Sequence, residues 1–183
     1  RYWIGVDTGL IKLAVYTSDG RGCTFSGVPA GGWCGEGSVI KREDRRYDVI
    51  AIGNAIVDII ASCSEELIEE LQLNRGGMTL LDEVRAEQLY AAMPPAREIS
   101  GGSAANTLAG LSTLGLQCAF IGQVANDQLG KVFAHDMRAT GIDFDTPMRE
   151  GEPATGRCLI FVTPDGERTM NTFLGAGQFL PAE

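Results

Sequence analysis

The run Asp48-Val49-Ile50-Ala51-Ile52-Gly53 constrains this chain more than any other stretch. Its aliphatic residues follow one another with almost no polar alternation, so neither face is left for water. Strands of that kind are covered on both sides and sit inside parallel sheets flanked by helices. A chain built around such a strand is expected to alternate β and α.

The residues after it keep to that grammar. The apolar run stops at Asn54 and Asp58. Ser62 and Glu65 stand in a capping-box pattern, which predicts a short acidic helix over 65–73. Arg75-Gly76-Gly77 turns the chain into Met78-Thr79-Leu80-Leu81. Asp82 predicts a cap for a helix over 83–93, ended by Pro94-Pro95. Asn126-Asp127 caps a further helix running to Thr140, with Gly141 as its stop. Residues 154–173 read as a β-hairpin around Pro164-Asp165-Gly166. These spacings suit an α/β sandwich, with 78–81, 97–100 and the 157–173 hairpin forming a small β lid.

The segment Gly101-Gly102-Ser103-Ala104-Ala105-Asn106 carries the most chemistry. Two residues without side chains let a ligand approach the backbone, and Ser103 is placed to cap a helix with Asn106 in its first turn. Ala104, Leu108 and Leu111 recur at helical spacing, Gly115 suits the stop, and 117–121 reads as a strand. Free helical N–H groups and an Asn amide can converge on a small polyhydroxylated or anionic ligand. The same residues also serve as a helix-start loop with no ligand.

With 183 residues, 44% of them hydrophobic, there is material for one sizeable core or two small ones. The formal charge of −9 argues against nucleic acid as a partner. That charge is unevenly spread. Residues 1–46 hold seven Lys and Arg against five Asp and Glu, while 47–183 hold eight against nineteen. Residues 1–46 read as short β runs with Ser18-Asp19-Gly20 as a hairpin turn, then a glycine-rich loop and a charged run over 41–46. The one sharp boundary lies between Arg46 and Tyr47, and residues 1–46 are expected to pack poorly on residues 47–183. Five widely spaced cysteines, no Cys-x-x-Cys and a single His indicate neither a disulfide framework nor a zinc site. No apolar run reaches the roughly 18 residues that span a bilayer, and the opening residues lack a signal-peptide core, so the expectation is a cytoplasmic protein with no membrane partner.

Asn54, Asp58, Gly101-Gly102, Asn106, Gly122, Asp127 and Gly130, with Ala154-Thr155-Gly156-Arg157 and the run from Thr163 to Thr169, resemble the PfkB (ribokinase-like) sugar and nucleoside kinases. Residues 47–183 are similar to the N-terminal half of that family, and most of all to its adenosine-kinase-like members, although Leu108 departs from the strict sugar-kinase signature. The resemblance implies a ribokinase-like α/β sandwich and ATP-dependent phosphorylation of a ribonucleoside such as adenosine, or of a sugar. Taken alone, Asp58 is a turn or cap carboxylate. With the family in view it holds the ribose 2′ and 3′ hydroxyls, since an ionised carboxylate accepts two hydrogen bonds from a vicinal diol. Asn54 and Asn106 would add donors and acceptors, Gly101 and Gly102 backbone contact, and Arg168 would stand near the transferred phosphate.

ATP and Mg²⁺ are implied by the resemblance. The family's base and phosphate hole belong to a Gly-Ala-Gly-Asp motif, accompanied by an Asn-x-x-Glu motif, and this sequence holds neither. Gly175-Ala176-Gly177-Gln178 imitates the first with Gln where the base belongs. The expectation is therefore a truncated kinase that keeps the acceptor side, with no catalytic base and no metal ligand assigned. Residues 1–46 resemble a fragment of the Crp/Fnr cyclic-nucleotide-binding β-roll, a jelly-roll piece in which Glu36 would hold the ribose and Arg46 the cyclic phosphate. The alternatives are a cyclic-nucleotide-sensing fragment or a chimera of two truncated genes. The acceptor, whether adenosine, another nucleoside or a sugar, and the oligomeric state stay open.

Overall fold

The computed structural model describes residues 48–180 and, ahead of them, the backbone of four strands. These are β1 (Ile4–Gly5), β2 (Leu10–Tyr16), β3 (Gly22–Pro29) and β4 (Trp33–Cys34). Next come β5 (Asp48–Ile52), β6 (Ile56–Ser62), helix α1 (Glu65–Glu70), β7 (Met78–Leu80), α2 (Glu83–Ala92) and β8 (Arg97–Gly101). The chain continues through α3 (Ser103–Thr113), β9 (Cys118–Ile121), α4 (Gln128–Ala139), β10 (Ile142–Asp143), β11 (Gly156–Val162), β12 (Arg168–Phe173) and a 3-10 turn, Gly175–Gln178. Two compact units divide it. The first is Arg1–Gly53, Gly102–Gly122 and Ala134–Thr146; the second is Asn54–Gly101, Gln123–Phe133 and Pro147–Glu183.

The first unit is built on a five-stranded sheet in the order β10-β9-β5-β2-β3. β5 runs parallel to β9, and β9 parallel to β10, as the apolar run over 48–53 requires. Val49 and Ala51 are fully buried, whereas Ile50 and Ile52 are half-buried, so one face of β5 is covered more completely than the other. β2 pairs antiparallel with β3, which agrees with the expected hairpin; its turn lies outside the described residues. β2 also pairs antiparallel with β5, Leu10 opposite Ile52 through Ala14 opposite Asp48. That corrects the expectation that residues 1–46 pack poorly on residues 47–183. An open edge of β5 would leave a row of N–H and C=O groups unpaired, and β2 satisfies them.

α3 buries Ala104, Ala105, Leu108 and Leu111 on one stripe, each leucine contributing about 1.5–3 kcal/mol by its burial. It ends where Gly115 adopts φ +81°: the Gly115 N–H reaches the Ser112 carbonyl and the Leu116 N–H the Leu111 carbonyl, a Schellman stop. At its start the expected Ser103 cap is corrected. Gly102, at φ 89°, is the capping residue, it offers no side-chain acceptor, and Ser103 is already helical.

The second unit carries a sheet in the order β7-β12-β11-β6-β8. The expected lid strands are all present, and β6 lies among them, parallel to β11 and antiparallel to β8. Asp58 is therefore in the middle of a strand rather than in a turn. One face of the sheet presents Val57, Ile59, Leu159, Phe161 and Asn171, all at most 2% exposed. α2 packs there, burying Ala86 and Leu89. Its Tyr90 ring lies 5.9 Å beneath the Arg157 guanidinium, which also stacks 5.7 Å from Phe173. The opposite face carries Ile56, Cys158 and Ile160, packed with Ile60, Val162, Met170 and Leu174.

Two helix boundaries differ from expectation. Ser62 pairs with Val162 inside the sheet, so it cannot cap α1; Ser64 does, accepting the Leu67 N–H at 3.4 Å. α1 stops at Glu70 because Gln72 takes φ 54° and the Leu73 N–H bonds back to the Ile68 carbonyl. No glycine marks that stop in the sequence. Asp82 caps α2 as expected, its carboxylate accepting the Arg85 N–H at 2.8 Å.

Candidate functional site

Asp58 occupies the centre of the less covered sheet face in the second unit. In register, Ile99 of β8 stands on one side of it and Cys158 of β11 on the other. Thr172 of β12 lies next in the row and donates its hydroxyl to the Cys158 Sγ at 3.2 Å. The strand alternation that puts Val57 and Ile59 into the covered core puts Ile56, Asp58 and Ile60 here. The result is a single carboxylate among aliphatic and sulfur neighbours.

Gly101, at the end of β8, is what makes room for it. A Cβ there would fall on the Asp58 carboxylate itself. Burial pushes Asp58 up to about 6, well above the usual carboxylate range, while the Arg168 charge pulls it back. The carboxylate accepts no hydrogen bond from the described residues. Burial also drives the Cys158 thiol up to about 11, which keeps it protonated and unreactive near neutrality.

Of the other expected site residues, Asn54 is exposed at the start of the unit, and Gly177 packs against it: a Cβ on Gly177 would lie 3.4 Å from the Asn54 Cβ. Arg168 is exposed at the start of β12, on the same face as Asp58. The second unit thus brings together Asp58 and Gly101, with the charge of Arg168 acting on the carboxylate. Gly102 and Asn106 belong to the first unit, where Gly102 caps α3 and Asn106 is exposed in its first turn, its N–H donating to the Gly102 carbonyl at 2.9 Å. Glu36 and Arg46 lie outside the described residues.

Gly175, Ala176 and Gly177 are all buried in the 3-10 turn, with Gln178 at its end. Among the described residues no three His, Cys, Asp or Glu side chains come together to hold a metal ion. Nor is any helix among them long and apolar enough to cross a membrane. β6 is a strand that the sequence expectations miss. Its signal was present, since Val57, Ile59 and Ala61 alternate with Ile56, Asp58 and Ile60, but the polar Asp58 interrupted the pattern.

The pfkB family of carbohydrate kinases matches residues 82–182. Adenosine kinase from Sinorhizobium meliloti is 54% identical and superimposes with a TM-score of 0.70 over 74% of this chain and 42% of that one. Adenosine kinase from Trypanosoma brucei brucei, at 26% identity, gives a TM-score of 0.64 over 73% of this chain and 42% of that one. The 5-dehydro-2-deoxygluconokinase of Halalkalibacterium halodurans is 35% identical over 100 residues, 55% of this chain and 24% of that protein. The chain therefore spans about two fifths of these solved kinases and about a quarter of the curated relative.

Proposed function

This chain belongs to the pfkB family of carbohydrate kinases, and from that premise we propose that its second unit holds the alcohol acceptor of an ATP-dependent phosphoryl transfer through Asp58. The observation that carries the reading is a half-buried carboxylate, framed by a glycine whose missing side chain leaves it room, that takes no hydrogen bond from the described residues. A carboxylate left that way inside an apolar row is costly, and a ligand supplying two adjacent hydroxyls removes the penalty.

The acceptor we assign is a ribonucleoside such as adenosine. Ile99 and Cys158 flank Asp58, and Met78 and Leu80 lie exposed on the same face, so the acceptor that fits combines a diol with an apolar body. A free sugar offers hydroxyls all round and would leave several of them against hydrocarbon. Arg168 is the cation we assign to the phosphate side, with Asn54 and Gly101 beside the acceptor. Family membership implies ATP and Mg²⁺, and this chain's described residues offer no donor set for the ion. What they do is bind and orient an acceptor.

Calorimetry of the 183-residue chain with adenosine and with ribose tests this directly. Adenosine binding that Asp58→Ala abolishes, with ribose at least about tenfold weaker, is the expected result. Binding unaffected by Asp58→Ala sinks the assignment.

A further inference from the structure

Asp127 does more than cap α4. Its Oδ1 accepts the Gly130 N–H at 2.7 Å and the Thr155 hydroxyl at 2.7 Å, and its Oδ2 accepts the Thr155 N–H at 2.8 Å. Thr155 is fully buried, and its Oγ1 in turn accepts the Ala125 N–H at 3.0 Å. The corner is tight, since a Cβ on Gly130 would strike the Ala125 carbonyl and come within 3.1 Å of the Thr155 Oγ1. Both carboxylate oxygens are thus engaged within this corner.

The connection runs on from Thr155. The carbonyl of its neighbour Ala154 accepts the Ala176 N–H at 2.8 Å, which anchors the Gly175–Gln178 turn. Gly175 sits at φ +50° with the Ala154 carbonyl filling the space a Cβ would need. At the far end of the turn Gly177 stands against Asn54, its Cβ position 3.5 Å from the Asn54 Oδ1. Carboxylate, residues 154–155, turn and Asn54 form one contiguous series inside the second unit.

We propose that Asp127 is a positioning residue for the acceptor site: by fixing residues 154–155 it sets the Gly175–Gln178 turn and, through Gly177, the placement of Asn54, without touching the ligand. This rests on the acceptor reading of Asn54 and Asp58. Three hydrogen bonds to one carboxylate hold the Thr155 corner in one arrangement, and small displacements of a binding group far from the altered residue are enough to weaken a ligand strongly.

The test uses Asp127→Asn, which sets an N–H donor against the Thr155 N–H; Thr155→Val, which keeps shape and removes the hydroxyl; and Thr155→Ser, which restores it. Amide hydrogen exchange at Ala176 and Gly177 is read beside adenosine affinity and the melting transition. In Asp127→Asn and Thr155→Val, exchange at those two amides should accelerate more than elsewhere in the second unit, and affinity should fall by about tenfold or more with melting still cooperative. Thr155→Ser should stay within about twofold of the unaltered chain. Unchanged affinity in a folded Asp127→Asn, or exchange that accelerates equally across the whole unit, overturns the proposal. An unaltered chain that fails to bind adenosine sinks the acceptor reading instead, and a lack of response at Ala176 and Gly177 in the variants then overturns the Asp127 proposal independently.

Discussion

The two faces of the second unit's sheet share the same five strands and differ in almost everything else. One is packed beneath α2, with Leu159 and Phe161 fully buried and Asn171 donating to the Leu159 carbonyl at 3.4 Å. The other leaves Met78 56%, Leu80 60% and Ile99 36% exposed, and carries Asp58 in its middle row. A carboxylate cannot stand ionised and unpaired on the first face. On the second it can, at the expense of a raised pKa. Burial is concentrated on the face beneath α2, and the proposed acceptor site lies on the other.

Four measurements would break or sharpen that contrast. Phe161→Ala on the covered face should destabilise the chain by about 3–5 kcal/mol in urea, while Leu80→Ala on the open face should change it by about 0.5 kcal/mol at most. Similar losses from both would erase the distinction.

Asp58→Asn should weaken adenosine by about tenfold to a hundredfold while leaving the fold intact. Its pH behaviour has a definite sign. The folded-state pKa stands near 6, above the ordinary aspartate value of 3.8, so the folded chain favours the protonated carboxyl. The stability penalty of ionisation is therefore fully present above about pH 6 and disappears below 3.8. Asp58→Asn should raise the melting temperature at pH 7.5, by an increment that shrinks as the pH falls through that window. Adenosine affinity of the unaltered chain should decline below about pH 6, because the ionised form is the one that accepts two hydroxyls. A flat affinity profile between pH 5 and 7.5 would detach Asp58 from the ligand.

Gly101→Ala should destabilise by about 1–3 kcal/mol through the collision with Asp58, and the loss should be largely relieved in Gly101→Ala/Asp58→Ala. Additive losses would mean the glycine is needed for another reason. The smallest effect belongs at the margin of the sheet. Arg75 bridges Asp165 at 2.6 Å, Glu65 at 3.2 Å and Glu167 at 3.5 Å, all on exposed side chains. Arg75→Ala should shift stability by no more than about 1 kcal/mol, and less in high salt.

The strand at 48–53, the caps at Asp82 and Asp127, the stops at Gly115 and Gly141 and the hairpin at 156–173 were legible because each rests on local chemistry: apolar continuity, a carboxylate near free N–H groups, or a glycine at positive φ. β6 was not, because a carboxylate, Asp58, sits where strand patterning wants an aliphatic residue. The stop of α1 was hidden by Gln72, a residue with no special liking for φ 54°. The pairing of β2 with β5 was invisible for a different reason, since composition and charge change between those segments while backbone pairing reads neither. Asp58 and Gly101 could each be picked out, yet the fact that one needs the other's missing side chain depends on a register between β6 and β8 that no local pattern encodes.

The parallel pairing of β6 with β11 sets Val57 opposite Arg157, about a hundred residues further along the chain. During synthesis, then, β6 leaves the ribosome long before its parallel partner exists, and at about 5–20 residues per second it waits for several seconds or more. In that interval, of its two neighbours in the finished sheet, β8 alone has already been made. Closing so long a loop makes the contact with β11 slow to form, though the added entropy over a loop half as long is only about 0.6 kcal/mol. The strand that carries Asp58 therefore spends that interval held by β8 on one edge with its other edge open, while β7, whose one neighbour is β12, waits with no partner at all.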